Sequence, residues 1–238
     1  AIAMSSRAGP FASRSFIFRC CLPRCWSITT FRSSVHSLIE STRTAFRWAF
    51  APLLLAALLV ACSGDKPAFK ATDVTGASYA QQLELTDHTG KRRTLAEFRG
   101  SVAAIFFGFT RCPDVCPTTL SQMKAVLAEM GADAKRVQVL FITVDPERDT
   151  AEVLNQYVTA FDPSFIGLTG SVDDIKRVTK EFKVFFQKTA GTTADNYSVD
   201  HTAAFYIYDP AGRLRLFARH NTPAADLAAD IKLLLAGK

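Results

Sequence analysis

An unbroken run of apolar residues from Val102 to Phe109 is the feature that most limits what this chain can fold into. A strand that is apolar at every position, and not only at alternate positions, must be buried on both faces. Val137–Val144 is predicted to be a second buried strand, and Thr118–Met130 between them has apolar residues at helical spacing. The order strand, helix, strand predicts an α/β domain in which helices cover both faces of a mixed sheet.

The remainder of the domain continues this alternation. Asp149 or Thr150 is a suitable cap for the next helix, and Ser171 with Asp174 has the spacing of a capping box. Residues 188–199 are polar and are interpreted as a loop. The other predicted elements are short strands at 83–87 and 165–168, helices at about 150–161, 171–182 and 223–235, and a hairpin with strands at 202–208 and 214–218.

The net charge of +6 belongs entirely to the first 62 residues, which hold seven arginines, no lysine and the single acid Glu40. The remaining residues contain 21 basic and 21 acidic side chains. The basic excess is therefore no argument for nucleic-acid binding by the domain, and we expect no nucleic-acid partner. Four of the six cysteines also lie in the first segment, which leaves Cys112 and Cys116 in the domain.

The end of the first segment is typical of a targeting signal. Its apolar run at 48–60 has 13 residues, whereas a transmembrane helix needs about 20. Arg43 and Arg47 precede this run, as in a signal peptide, and the Leu-Val-Ala-Cys that ends at Cys62 resembles a bacterial lipobox. We therefore expect Cys62 to carry a lipid. An uncleaved signal anchor, with Cys62 as an ordinary thiol, is the alternative.

This interpretation divides the chain into four parts. Residues 1–34 lack acids and periodicity and are interpreted as an upstream extension, translated from a start set too early. Residues 35–61 are the predicted lipoprotein signal peptide, and residues 62–78 are small and polar, as in a tether. Residues 79–238 form the predicted working domain, which is long enough for a sizeable core.

The residues that carry chemistry are Cys112, Cys116 and His201. The cysteines lie where a buried strand passes into a helix, and a helix N-terminus favours thiolates. If the helix begins within this loop, a spacing of four brings both sulfurs to one face, where they could form a disulfide or bind a soft metal ion. A purely structural disulfide remains an alternative. His201 adds a nitrogen, and a ligand set of two sulfurs and one nitrogen suits Cu(I), whereas zinc usually takes a fourth ligand.

Three segments in order, 107–120, 141–150 and 199–202, resemble the Sco/SenC family, and the similarity covers roughly residues 80–236. The resemblance implies a thioredoxin-like fold with a β-hairpin extension. It also implies that Cys112, Cys116 and His201 bind copper, as Cu(I) or Cu(II), for assembly of the dinuclear copper centre of cytochrome c oxidase. Arg111 departs from the family, which often has an aromatic residue or histidine there.

The expected function is that of a monomeric copper chaperone, held by a lipid at the bacterial cell envelope and facing the periplasm. Its expected partners are the membrane, the copper-site subunit of the oxidase and other copper chaperones. The alternative is a thiol–disulfide reductase in which Cys112 attacks and then forms a redox-active disulfide with Cys116. A peroxiredoxin-like peroxidase ranks last, because its Pro-x-x-x-Thr-x-x-Cys loop is missing. A reductase has no need of His201, so this residue discriminates between the first two functions.

For four further polar residues the sequence leaves two possible roles open. Asp145 and Asp149 are interpreted first as turn and cap residues, and second as docking residues or ligands of another metal. His88 and His220 are interpreted first as surface loop residues, and second as spare ligands.

Overall fold

The computed structural model describes residues 68–193 and 196–238. The expected extension 1–34, the signal peptide 35–61 and the lipidated Cys62 lie outside these residues. Within them, no helix is both long enough and apolar enough to cross a bilayer. The strands are β1 (Thr72–Asp73), β2 (Glu84–Asp87), β3 (Arg92–Thr94), β4 (Val102–Gly108), β5 (Val137–Thr143), β6 (Ile166–Thr169), β7 (Phe186–Thr193), β8 (Asn196–His201), β9 (Ala204–Tyr208) and β10 (Leu214–Arg219). The α-helices are α1 (Val115–Met130), α2 (Ala151–Phe161), α3 (Val172–Glu181) and α4 (Ala224–Leu235), and two 3₁₀ helices cover Leu95–Phe98 and Gly131–Arg136.

Eight strands form one mixed sheet in the order β1-β10-β9-β4-β5-β6-β2-β3. The two apolar runs are its centre: β4 and β5 pair in parallel, and every residue of β4 is buried. Strand β6 continues the parallel part, and the other pairs are antiparallel. The predicted α/β architecture with a mixed central sheet is confirmed.

Neighbouring side chains of β4 show that both faces of this sheet are covered. Phe106 packs against Phe141, whose ring in turn contacts Tyr157 of α2. Phe107 faces the other way and packs against Phe182, directly after α3. Because successive side chains of a strand point to opposite faces, α2 and α3 cover opposite sides of the sheet.

Local sequence signals account for the starts of two helices. The Thr150 hydroxyl accepts the Val153 N–H at the start of α2, and Ser171 forms a capping box with Asp174 at the start of α3. The predicted hairpin at 209–212 joins β9 and β10, where Gly212 adopts a φ of 78° that favours glycine.

The structure departs from the sequence predictions in three places. Of the predicted loop 188–199, residues 188–193 belong to β7 and residues 196–199 to β8, and these two strands form a separate sheet. The eight-stranded sheet begins within the expected tether 62–78, because Thr72–Asp73 pairs with β10. A short strand, Arg92–Thr94, follows the turn after β2. All three segments are rich in polar residues, so their apolar pattern is too weak to identify a strand.

Candidate metal centre

Three separate elements bring Cys112, Cys116 and His201 together. Cys112 lies in the loop after β4, Cys116 lies in the first turn of α1, and His201 is the last residue of β8. One ligand atom from each lies within 4.8 Å of the other two. Across residues 68–193 and 196–238, no other group of three or more histidine, cysteine or acidic side chains is placed to hold a metal ion.

Cys116 is the buried member of the group. Its side chain has no exposed surface, and its Sγ lies 3.4 Å from Nε2 of His201. Gly108 at the end of β4 leaves room for this sulfur, since a Cβ on Gly108 would lie only 2.9 Å from Sγ. The backbone N–H of Cys116 donates to Sγ of Cys112 over 3.4 Å. Neither cysteine forms a disulfide, and Cys112 is half-buried.

Hydrogen bonding orients the ring of His201. Nδ1 lies 3.2 Å from the carbonyl oxygen of Thr202, which can only accept a hydrogen bond, so Nδ1 carries a proton. Nε2 faces the thiols and is therefore the nitrogen available to a metal ion. The rings of Phe106 and Phe109 contact the imidazole edge to face, each with centroids 6.0 Å apart, and restrict its rotation.

The two thiols have unlike acidities. The hydrogen bond from the Cys116 thiol lowers the pKa of Cys112 to about 3 against the opposing effect of burial, with further help from His201 and nearby backbone N–H groups. The hydrogen bond to Cys112, together with burial, raises the pKa of Cys116. The site therefore holds one thiolate, at Cys112, and one thiol. Cys112 can act as a nucleophile or as the first metal ligand.

Asp149 anchors the cysteine loop through hydrogen bonds with Thr110. Its fully buried carboxylate accepts the N–H of Thr110 over 2.9 Å and the hydroxyl of Thr110 over 2.6 Å. The hydroxyl of Thr143 donates to the same carboxylate over 2.7 Å. Burial raises the pKa of Asp149, although these donors oppose the shift. Asp149 is thus a brace for the loop that carries Cys112, whereas Thr150 caps the following helix.

The other candidate residues do not join the site. The Asp145 carboxylate pairs with Arg148 and accepts the hydroxyl of Tyr197, so its partners are side chains of the protein. Nδ1 of His88 accepts the N–H of Gly167 over 3.0 Å. His220 is exposed after β10. For both histidines the structure agrees with a loop position outside the metal group.

A cleft of about 230 Å³ lies beside the three residues and is lined on one side by the cysteine loop and on the other by β8. It gives Cys112 and His201 access to solvent. The sequence did not predict that β8 lines this cleft, because residues 188–199 were assigned to a loop. It also did not single out Tyr197, which lies on the same face of β8 as His201. Strand periodicity places the two residues on one face once β8 is recognised.

Comparison with known proteins identifies the family of this chain. The sequence model of the SCO1/SenC family matches residues 71–236. "Protein sco1" of Schizosaccharomyces pombe is 41% identical over 155 residues, which are 63% of this chain and 58% of that relative. The chain thus spans less than two thirds of that protein's length.

Solved structures are similar over the same domain. The copper-bound structure of Bradyrhizobium japonicum ScoI is 40% identical with a TM-score of 0.60, covering 65% of this chain and 98% of that one. A SCO1/SenC family lipoprotein from Bacillus anthracis is 28% identical with a TM-score of 0.58, covering 70% of this chain and 99% of that one.

Proposed function

Because the chain belongs to the SCO1/SenC family, we propose that it binds one copper ion through Cys112, Cys116 and His201 and passes it to the copper-site subunit of cytochrome c oxidase. The observation that carries the proposal is the approach of three ligand atoms to within 4.8 Å, with His201 brought to the two cysteines from 85 positions beyond Cys116. The similar B. japonicum protein, which was solved with copper bound, supports the choice of metal.

The donor set fits copper as cargo. Two sulfurs and one imidazole nitrogen are soft ligands, and Cu(I) accepts three of them, whereas zinc usually requires four. Nδ1 of His201 faces a carbonyl oxygen, which leaves Nε2 for the metal, and the lowered pKa of Cys112 favours its thiolate. Because the pKa of Cys116 is raised, this thiol has to release a proton when the metal binds, so binding weakens as the pH falls.

Exposure supports an order for the transfer. Cys112 is half-buried beside the open cleft, whereas Cys116 is fully buried. An incoming thiol of the recipient reaches copper on the side of Cys112. Exchange therefore begins with displacement of the Cys112 sulfur and ends with release from Cys116.

A second candidate function, thiol–disulfide reduction, is favoured by the acidity of Cys112. The Cys112 thiolate would attack one sulfur of a partner's disulfide and form a mixed disulfide. Cys116, after losing its proton, would attack Cys112, so that the partner leaves with two thiols and the chain is oxidised to a Cys112–Cys116 disulfide. Two electrons pass from the chain to the partner. The same disulfide would abolish the copper site, so the two functions exclude each other at any moment.

The proposed cellular setting follows the organisation of the sequence. The lipobox pattern at Cys62 and the B. anthracis lipoprotein of the same family support a lipid anchor, with residues 35–61 removed and residues 1–34 outside the mature protein. The domain then works as a monomer at the bacterial envelope and faces the periplasm. We expect mass spectrometry of the mature protein to find a diacylated Cys62 at its N-terminus.

Copper titration of the reduced full chain tests the ligand assignment. Wild type is expected to bind about one copper per chain, and His201→Ala to bind much more weakly while Cys112 and Cys116 still oxidise to a disulfide. His220→Ala, at an exposed histidine outside the group, is the matched control. If His201→Ala binds copper as tightly as wild type, the assignment is wrong.

Incubation with the copper-binding domain of the oxidase subunit separates the two functions. Transfer of copper from the loaded chain to the reduced recipient indicates a chaperone. Reduction of an oxidised recipient at equal rates by wild type and His201→Ala, without copper transfer, would instead indicate a reductase.

A further inference from the structure

The hairpin that carries His201 stands apart from the main sheet. Strand β8 pairs with β7, and these two form a sheet of their own. The ladder of the eight-stranded sheet therefore does not fix the position of His201. On β8, Tyr197, Val199 and His201 share one face, because alternate residues of a strand point the same way. Val199 is buried, so this face is the one turned toward the domain.

Tyr197 fastens the hairpin through both its side chain and its backbone. The hydroxyl donates to the Asp145 carboxylate over 2.7 Å. The guanidinium of Arg148 lies 3.5 Å from the centroid of the ring, and Nη1 of Arg148 donates to the carbonyl oxygen of Tyr197 over 3.0 Å. Lys188 of β7 places its ammonium group 4.6 Å from the same ring. Cation–π contacts and hydrogen bonds to charged groups are strong where solvent is partly excluded.

The side chains that hold Tyr197 belong to a buried part of the domain. Arg148 and Asp145 form an ion pair whose side chains are 11% and 0% exposed. The same loop between β5 and α2 carries Asp149, which braces the cysteine loop through Thr110. One short segment, residues 144–150, thus holds both halves of the metal centre. The exposed pair of Lys188 and Glu147 adds little to this attachment, because solvent screens it.

We propose that Tyr197 is a positioning residue for His201 and that its attachment to Arg148 and Asp145 keeps Nε2 within reach of the copper bound by the two cysteines. This inference rests on the proposed function. Tyr197 lies four residues from His201, about 13 Å along an extended strand. Without this attachment the hairpin is held at its base, where the N–H of Thr202 donates to the Phe185 carbonyl and the Thr202 hydroxyl accepts the Phe185 N–H. The hairpin can then tilt about this base, so that Nε2 of His201 moves away from the copper and the two cysteines remain as ligands.

A double-mutant cycle in the reduced full chain tests this role. Cu(I) is supplied from a chromophoric chelator, and its dissociation constant is measured for wild type, Tyr197→Ala, His201→Ala and the double variant. Tyr197→Ala is expected to weaken binding about 10-fold, as loss of a charged hydrogen bond and a cation–π contact implies. In the His201→Ala background the same change is expected to have no further effect, because Tyr197 acts only through His201.

Two further variants and one spectrum guard against a general loss of folding. Tyr197→Phe keeps the ring beside Arg148 and loses only the hydroxyl bond, so a smaller loss of affinity is expected. Tyr79→Ala removes another half-buried tyrosine, whose ring has Lys183 4.6 Å from its centroid, and is expected to leave copper binding unchanged. X-ray absorption of loaded Tyr197→Ala is expected to show weaker copper–nitrogen scattering with unchanged copper–sulfur scattering.

The outcomes separate this inference from the proposed function. Wild-type affinity in Tyr197→Ala, or an equal loss in the presence and absence of His201, overturns the positioning role and leaves the ligand assignment intact. Wild-type affinity in His201→Ala overturns the ligand assignment itself, and the positioning role with it.

Discussion

Gly108→Ala is the most direct test of how the sheet shapes the copper site. Gly108 lies at the end of β4, where the chain leaves the sheet toward the cysteines. A Cβ built there would lie 2.7 Å from a ring carbon of Phe141, 2.9 Å from Sγ of Cys116 and 3.1 Å from a ring carbon of Phe106. Its backbone is not in the left-handed region, so the cost of the added methyl group is steric.

The distances allow the effect on copper to be estimated. Ordinary contact begins at 3.4 Å, so Sγ of Cys116 has to move by about 0.5 Å. Metal–ligand distances tolerate changes of only about 0.2 Å, so the displaced sulfur can no longer bind together with Cys112 and His201 without strain. We expect the free energy of unfolding to fall by about 1–3 kcal/mol, as for other overpacked cores. Copper affinity is expected to fall by about 10-fold, which is about 1.4 kcal/mol.

Two assays separate these effects. Urea unfolding of the reduced, copper-free chain measures stability, and competition with a Cu(I) chelator measures affinity. Gly167→Ala in β6 is the matched control, because its Cβ would lie 3.1 Å from Cβ of Leu154 and far from the thiols. The control is expected to lose stability and keep its copper affinity. Wild-type affinity in Gly108→Ala, or an equal loss of affinity in both variants, would refute the reasoning.

Two further predictions concern pH. The first concerns Cys112, whose pKa is lowered to about 3. Its rate of alkylation by iodoacetamide, measured by mass spectrometry, is expected to change little between pH 7 and pH 5, whereas the rate of an ordinary thiol falls about 100-fold. A 100-fold slowing at Cys112 would contradict the assignment of the thiolate. Burial raises the pKa of Asp87, but hydrogen bonds from Thr89, Arg93 and the backbone outweigh it and lower the pKa to about 2. Because the pKa is lowered in the folded state, the Asp87 carboxylate stabilises the fold above about pH 4, and this contribution is lost as the pH falls toward 2. In urea unfolding, Asp87→Asn is therefore expected to lower the free energy of unfolding by about 1–2 kcal/mol at pH 7 and by much less at pH 2. A loss of stability that does not depend on pH would contradict this prediction.

The sequence by itself determined the parts of this protein whose signals are local. The apolar run of β4 predicted a strand buried on both faces, and the mainly apolar β5 a second one, since only a sheet covered on both sides can bury successive residues of a strand. The capping box at Ser171 predicted the start of α3, because both of its hydrogen bonds lie within four residues. The spacing of Cys112 and Cys116 predicted neighbouring sulfurs at the start of a helix.

The tertiary structure alone decided how these parts meet at the site. Strand β8 alternates Tyr197 and Val199 with polar residues, but this signal is short and β7 has none, so the pairing of the two strands is needed to reveal the hairpin that delivers His201. Asp149 bonds to Thr110 over 39 positions, and Tyr197 bonds to Asp145 over 52. Such bonds depend on which loops the sheet order brings together. Residue types therefore identify the chemistry of the site, and the packing of distant segments sets the geometry in which that chemistry works.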